Sequence, residues 1–281
     1  MSQRFRCLLL FIWFPWTALF HSTVPAFGQD MKIRTHVYSV SNGPRGLQKD
    51  EQAVSLTIFH AGRVYDYIDS VREVIIFEPT LNRFRIISTP RSLVTTVEFD
   101  ELRQMMKVAQ TATEKYLETL ELKSDGQTPD GARSIQFQLE PRFRENWKPV
   151  SKELQLTNSE FRYNVRCEPA TDDSIHETYL RYADWTARLN YVLHPQSMYP
   201  EGRLQLNESL RKRKLYPIEV SLYPDNRSPV HLLARHSITW DLNSFDRTLI
   251  HDWETQLKQG KLKELTFREY QEAVLVTKRS R

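Results

Sequence analysis

The chain has 281 residues, of which 40% are hydrophobic and 26% are charged, and its formal net charge is only +4. A chain of this length can bury a substantial core, either as one large domain or as two closely packed ones. The small net charge argues against a protein that binds nucleic acid through bulk electrostatic attraction. The composition therefore favours a globular protein and leaves its chemistry open.

The N-terminus has the layout of a secretory signal peptide. Arg4 and Arg6 provide a positively charged start, and an apolar run extends from Cys7 to Phe20. This run is shorter than the roughly 20 apolar residues that span a bilayer. Small residues follow at Ala26 and Gly28, which are the two positions that a signal peptidase reads.

We therefore predict a signal peptide over residues 1–28 and a mature chain that begins at Gln29, is periplasmic or secreted, and has no integral membrane segment. The alternatives are an uncleaved membrane anchor and a cytoplasmic protein that starts at Met31. Cleavage would lower the formal net charge from +4 to +2, because it removes two arginines and no acidic residue. It would leave Cys167 as the single cysteine, so no disulfide could form within the mature chain.

Residues 29–123 are predicted to form a β-meander followed by a helix. Five short apolar segments are separated by turn residues, and connections this short make neighbouring strands antiparallel. The predicted strands are Val54–Ile58, Val64–Ile68, Val74–Phe77, Phe84–Ile87 and Leu93–Val97. Thr95 and Glu98 have the spacing of a capping box, and apolar residues then recur at the helical period to about Leu122.

The stretch from Ser124 to Gly131 is rich in turn residues and empty of apolar ones, which predicts a linker over residues 124–134. The following region, residues 135–281, is predicted to be α+β and could pack with the first region as one domain. Strands are predicted near Ile135–Leu139 and over Phe161–Cys167. In the second strand the alternation of apolar residues indicates that its cysteine is a small core residue.

The clearest helix is predicted to begin at Ser174, which has capping-box spacing with Glu177, and to end before the next proline. One side of this helix is apolar, and the opposite side carries acidic and basic residues at a spacing of four. We predict that they form two solvated ion pairs, Glu177 with Arg181 and Asp184 with Arg188, rather than an acid/base pair for catalysis.

Prolines interrupt residues 196–229, which we predict to be loops and edge strands that form a covering flap, with a functional surface as the alternative. Alternation then predicts a strand over Val230–Leu242. Two more helices are predicted, one capped by Ser244 and stopped by Gly260, and one that starts at Thr266. Together these elements predict an α+β fold: an antiparallel β-meander with packed helices and a second, largely antiparallel sheet.

His236 is the candidate for catalysis, because it lies in the apolar phase of a predicted strand and a histidine in such surroundings can have a shifted pKa. The alternative is a neutral core histidine with one hydrogen bond. His231 is five residues away, so the two rings are predicted to point to opposite faces and cannot share a metal ion. The sequence lacks a nucleophile elbow, a P-loop and a dinucleotide-binding motif, and we predict no metal and no cofactor.

The predicted meander has more apolar side chains than the helix after it needs to cover. We therefore predict that any ligand is a largely apolar small molecule or an acyl chain, and that it lies against the concave face of the meander. The candidate binding residues are Ile58, Tyr65, Tyr67 and Phe77. The alternative is that the later helices fill this space, which the close packing of protein interiors favours.

The segment from Glu73 to Ile86, EVIIFEPTLNRFRI, consists of a strand, an acidic-Pro turn and a second strand. It resembles the strand-turn-strand unit of periplasmic lipoprotein carriers, and the similarity extends from Ala53 to Val97. In that family a curved antiparallel sheet cups an acyl chain, so the resemblance implies a lipid ligand and carries over no site residue. The chain differs from the family in its greater length and in its strong helices after Ser174. It also resembles uncharacterised exported proteins of environmental bacteria.

The sequence thus favours an exported, non-enzymatic binding or structural protein that could hold an apolar ligand. The alternative is a secreted hydrolase whose site is assembled from dispersed His and Asp residues. Polar titratable groups that converge in one pocket would favour the hydrolase, and an apolar pocket would favour the binding protein. The oligomeric state is left open.

Overall fold

The computed structural model describes residues 30–43, 46–123, 130–194, 197–225, 228 and 230–279. The predicted signal peptide, residues 1–28, lies outside these ranges, and so does the part of the predicted linker from 124 to 129. The rest of the predicted linker, residues 130–134, is helical. The division of the chain into two regions stays a prediction.

One sheet of twelve strands forms the framework of the described residues. In chain order the strands are β1 (Met31–Gly43), β2 (Gly46–His60), β3 (Arg63–Ile68), β4 (Glu73–Glu78), β5 (Arg83–Ser88), β6 (Leu93–Glu98), β7 (Arg144–Lys148), β8 (Glu153–Thr157), β9 (Arg162–Pro169), β10 (Leu215–Tyr223), β11 (His231–Thr239) and β12 (Lys263–Leu265). Their order across the sheet is β12-β6-β5-β4-β3-β2-β1-β11-β10-β9-β8-β7. The pairing of β12 with β6 is parallel, and the other pairings are antiparallel.

The mixed, mostly antiparallel α+β character is confirmed, but the predicted second sheet is wrong. β1 pairs with β11 from Lys32 to Val40, and this pairing joins the N-terminal strands to the C-terminal ones in a single sheet. Six helices are described: α1 (Phe99–Lys123), α2 (Asp130–Leu139), α3 (Asp173–Leu193), α4 (Glu201–Arg213), α5 (Ser244–Lys258) and α6 (Phe267–Arg279).

The predicted meander is confirmed as β2 to β6. Each of its four turns contains a residue with left-handed backbone: Ala61, Arg72, Asn82 and Ser92, with φ between 49° and 51°. Such turns reverse the chain within a few residues, and this is why the sequence predicts antiparallel neighbours correctly. The hairpin of β1 with β2 is missed, because the first half of β2 is polar and exposed.

The starts of α1 and α3 differ from the predicted ones. Thr95 and Glu98 lie in β6, so α1 begins at Phe99 and their predicted capping box is wrong. α3 confirms the clearest predicted helix, but its N-cap is Asp172 rather than Ser174. The Asp172 carboxylate accepts hydrogen bonds from the backbone N–H groups of Ser174 and Ile175. The backbone N–H groups of the first turn have no hydrogen-bond partner within the helix, and an aspartate at the N-cap accepts from them as well as a serine does.

The last two predicted helices are confirmed. α5 is capped by Asn243, one residue before the predicted Ser244, in a capping box with Asp246. α6 follows Thr266, whose backbone N–H and side chain both contact the carboxylate of Glu269, as the sequence predicts.

Two predicted segments are wrong. Ile135–Leu139 belongs to the helix α2 rather than to a strand, and Ala132, Ile135 and Leu139 lie three and four apart, as on one side of a helix. Residues 196–229 contain α4 and the interior strand β10 rather than a flap. Pro217 is accommodated there because the register between β9 and β10 shifts beside it.

The predicted ion pairs along α3 are also wrong. Both carboxylates pair with Arg211 of α4: its Nε lies 3.1 Å from Glu177, and its Nη2 lies 2.8 Å from Asp184. Arg188 contacts its predicted partner only through the backbone, since its Nη1 donates to the Asp184 carbonyl oxygen. The pairs form between helices, which a spacing along one helix cannot show.

Helices pack on both faces of the sheet and create two cores. The larger core lies on the broad face, which we define as the face covered by α1, α3, α4 and α6, and it includes Phe84, Leu180 and Leu206. The smaller core lies on the α5 face, where Ile250 and Trp253 pack against β2 to β6. Because apolar side chains of the meander point both ways, each strand is buried on two sides.

Candidate functional site

The structure does not bring the four predicted ligand residues together. Ile58, Tyr65 and Tyr67 lie on the α5 face, whereas Phe77 lies in the core of the broad face. The register explains the separation: Tyr65 is opposite Ile76 in β4, and the next residue along a strand points to the other face. Phe77 packs there against the rings of Phe84, Phe99 and Tyr182.

On the α5 face, the protein's own side chains occupy the space beside the two tyrosines. Trp253 stacks on Tyr65 and on Tyr67, with ring centroids 6.1 and 5.9 Å apart. The Tyr65 hydroxyl donates a 2.9 Å hydrogen bond to Glu254. A ligand at these residues would therefore have to displace α5.

His236 lies on the broad face with Ala234 and Ile238, as its phase on the strand predicts. Its Nδ1 lies 2.9 Å from the Thr35 hydroxyl, and its Nε2 has no hydrogen-bond partner. Burial, reinforced by the positive charge of Arg203, lowers the pKa of His236 to about 4. The ring is thus neutral near pH 7, and it does not line either of the two cavities described below.

His231 points to the face opposite His236, where its ring stacks on Tyr223 with centroids 4.4 Å apart. Within the described ranges, no three side chains of His, Cys, Asp or Glu are grouped closely enough to hold a metal ion.

Cys167 is buried in the broad-face core, and burial raises the pKa of its thiol to about 12. A thiol in this environment is a poor nucleophile because the thiolate is the reactive form.

A cavity lies at one end of the meander on the broad face, and we call it the turn pocket. It has a volume of about 750 Å³. The β3–β4 turn, residues 70–72, and the β5–β6 turn, including Pro90 and Arg91, form one side. The last turn of α3 and the N-terminal half of α6 form the other side. The turn pocket therefore depends on four segments that are far apart in sequence.

Part of the lining of the turn pocket is apolar, and we call it the apolar wall. Ile68 and Ile75 of the sheet contribute to it, and so do Leu193 of α3 and Val274 of α6. Ile75 belongs to the broad-face core, and the other three side chains pack against that core. Val71 stands at the rim and is exposed. A cavity of this size and lining fits a small molecule with a substantial apolar part.

The rest of the lining, which we call the polar wall, is held in place by hydrogen bonds. The Tyr270 hydroxyl donates to Glu73 at 2.7 Å, and Nη1 of Arg91 lies 3.0 Å from the Ser88 hydroxyl and 4.0 Å from Glu73. Burial, together with the Glu73 carboxylate, raises the pKa of Tyr270 well above its ordinary value, so this hydroxyl stays a donor. Arg72 lies on the exposed turn beside them and makes no ion pair within the described part of the chain.

None of the turn-pocket residues belongs to the predicted ligand set. Arg72 and Arg91 are turn residues: Arg72 is itself the left-handed residue of its turn, and Arg91 lies between a proline and the left-handed Ser92. Such residues occur in any tight hairpin, so the sequence gives no sign of a site. Tyr270 and Val274 show only the apolar period of an amphipathic helix. No local signal indicates that these elements meet.

No protein-family model matches the sequence, and a comparison with curated proteins finds no significant relative. Across the described ranges, each helix falls short of the length or the apolar character that a bilayer-crossing segment requires. The resemblance to lipoprotein carriers stays a prediction.

Proposed function

We propose that the protein is an exported binding protein that holds an amphipathic small molecule, such as a fatty acid, in the turn pocket. The observation that carries this proposal is the cavity of about 750 Å³ with one apolar wall and a basic, hydrogen-bonded wall. The proposal keeps the apolar ligand that the sequence predicts, but it moves the binding site from the sheet surface to the end of the meander.

The apolar part of the ligand would lie against Ile68, Ile75, Leu193 and Val274. A chain of about ten methylenes contributes about 8 kcal/mol when it is buried, at about 0.8 kcal/mol for each methylene. Micromolar binding needs about 8 kcal/mol after the cost of association, so the head group has to contribute as well. The acidic head group would lie near Arg72, whose guanidinium is free of carboxylates in the described structure. Arg91 is already shared with Glu73 and Ser88, so it would help to orient the head group.

Titratable side chains do converge here, since Glu73, Arg91, His194 and Tyr270 all line the turn pocket. The contacts of the acidic one nevertheless favour binding over hydrolysis. Glu73 already accepts the Tyr270 hydroxyl and lies beside Arg91. A carboxylate engaged in this way is a fixed structural group, whereas a general base has to be free to take a proton from the reacting water.

The experiment is a fluorescence titration of the mature chain with dansyl-undecanoic acid. We expect saturable binding in the micromolar range. Arg72→Gln should weaken binding of this acid roughly fivefold, which corresponds to about 1 kcal/mol for a partly exposed charged contact. Dansyl-undecanol, which has no carboxylate, should bind the native protein and Arg72→Gln equally. Arg142→Gln, which removes an exposed arginine elsewhere, is the matched control.

Leu193→Trp fills the apolar side of the turn pocket and should abolish binding of both compounds while the circular dichroism spectrum is retained. A flat titration with the folded native protein would reject the proposal. Turnover of a p-nitrophenyl ester that depends on Glu73 would instead support the alternative of a secreted hydrolase.

A further inference from the structure

A second concavity lies on the outer surface of α1, α3 and α4, and we call it the arginine cleft. Its volume is about 410 Å³. Four arginines line it: Arg103, Arg181, Arg188 and Arg211. Two carboxylates, Glu177 and Asp184, line it as well, so the formal charge of its lining is four positive against two negative.

The two carboxylates are already engaged by one arginine. Arg211 reaches Glu177 through Nε and Asp184 through Nη2. Asp184 also accepts a 2.7 Å hydrogen bond from the side-chain amide of Asn207. Both carboxylates therefore form their ion pairs with Arg211 rather than with the other three arginines of the cleft.

Arg181 and Arg188 make no ion pair with a carboxylate in the described parts of the chain. Arg188 uses Nη1 to donate to the Asp184 carbonyl oxygen at 2.9 Å, and Arg181 uses Nη2 to donate to the Pro79 carbonyl oxygen at 3.3 Å. A guanidinium has five N–H donors in a planar fork. Most donors of these two side chains are therefore available to a bound group.

The guanidinium groups of Arg103 and Arg188 both pack against the ring of Trp185. The Arg103 and Arg188 guanidinium carbons lie 5.0 and 5.3 Å from its ring centroid, and the ring itself stacks on Phe99 at 3.8 Å. Burial lowers the pKa of Arg188, and the charge of Arg103 adds to this effect, whereas the nearby carboxylates of Asp184 and Glu201 oppose it. Arg103 itself pairs with Asp100. Two guanidinium groups are thus held against one rigid aromatic ring, and a bound anion would be attracted by both of them.

We propose that the arginine cleft binds a phosphate group, either free or at the head of a larger molecule. A phosphate offers several acceptor oxygens to converging guanidinium forks, and charge-assisted, bidentate contacts of this kind are the strong ones. The site is separate from the turn pocket, so it does not depend on the function proposed for that cavity.

Trp185 provides the readout, because an anion bound between the arginines would change its fluorescence. The mature chain is titrated with inorganic phosphate and with pyrophosphate at constant ionic strength, and binding is measured in parallel by calorimetry. We expect saturable binding that Arg103→Gln combined with Arg188→Gln weakens at least tenfold. Arg268→Gln, which removes an exposed arginine of α6, should change it less than twofold.

Vesicles of phosphatidylcholine with and without phosphatidic acid separate the two sources of the phosphate group. Binding of free phosphate, or binding only of vesicles that contain phosphatidic acid, supports the proposal, provided that the double variant loses it. If Arg188→Gln does not fold, Arg181→Gln combined with Arg103→Gln replaces it, since Arg181 contacts only a carbonyl oxygen. No binding of either form, or an equal loss in Arg268→Gln, would overturn the proposal.

Discussion

Acidification should destabilise the protein through His236. The pKa of this ring is about 4 in the folded protein, because burial and the charge of Arg203 oppose protonation, whereas an unfolded chain gives histidine a pKa of about 6.5. Between these values the unfolded chain binds more protons than the folded protein. The stability from the neutral ring is therefore fully present above about pH 6.5 and is lost as the pH falls toward 4.

The expected magnitude follows from these two pKa values. Between about pH 7.5 and pH 5, His236 should account for a loss of about 2 kcal/mol in the free energy of unfolding, and the loss should approach about 3 kcal/mol near pH 4. His236→Gln removes this contribution. At pH 7.5 the variant should itself be less stable by about 1–3 kcal/mol, because the buried contact with Thr35 is disturbed.

The assay is urea unfolding of the native protein and of His236→Gln at both pH values, followed by circular dichroism. The native protein should lose about 2 kcal/mol more than the variant on acidification. His36→Gln, which removes a half-exposed histidine on β1 that pairs with Glu51, is the matched control and should follow the native protein. Equal losses in the native protein and His236→Gln would refute the reasoning. Loss of ligand binding at unchanged stability would instead place His236 in a site.

Trp253→Ala should lower the free energy of unfolding by about 3–5 kcal/mol, because this buried ring joins α5 to Tyr65 and Tyr67. Unfolding in denaturant measures this loss, and a value below about 1 kcal/mol would show that α5 is not packed as described. Cys167 should react with Ellman's reagent only after unfolding, since burial raises its pKa to about 12; rapid reaction of the native protein would contradict its burial. N-terminal sequencing of the mature protein should begin at Gln29, and a start at Met31 or a chain that retains Arg4 would contradict cleavage after Gly28.

The sequence is most informative where structure depends on neighbouring residues. The strands from Val54 to Val97 and the helix α3 are predicted correctly, because short turns and a helical period are local patterns. The pairing of β1 with β11 joins residues about 200 apart, and no periodicity reveals such a partner. Similarly, Pro217 suggests a loop by itself, but the register shift beside it keeps β10 within the sheet.

The candidate site is less predictable than the fold for the same reason. Tyr65 and Phe77 are both apolar strand residues, yet the register places them on opposite faces. Whether an apolar face is free or covered depends on where a distant helix packs, and α5 covers the face that holds Tyr65. The turn pocket is formed where Arg72, Leu193 and Tyr270 meet, and only the tertiary structure brings them together.

Photo-crosslinking tests most directly whether the turn pocket holds the ligand. The mature chain is irradiated with a fatty acid that carries a diazirine at the end of its alkyl chain, and the labelled peptides are identified by mass spectrometry. Binding in the turn pocket predicts labels on residues 190–194 and on residues 270–274, which lie side by side in the lining of the cavity, and their loss in Leu193→Trp. Labels confined to α5 around Trp253, or labels that excess unlabelled fatty acid does not suppress, would contradict it.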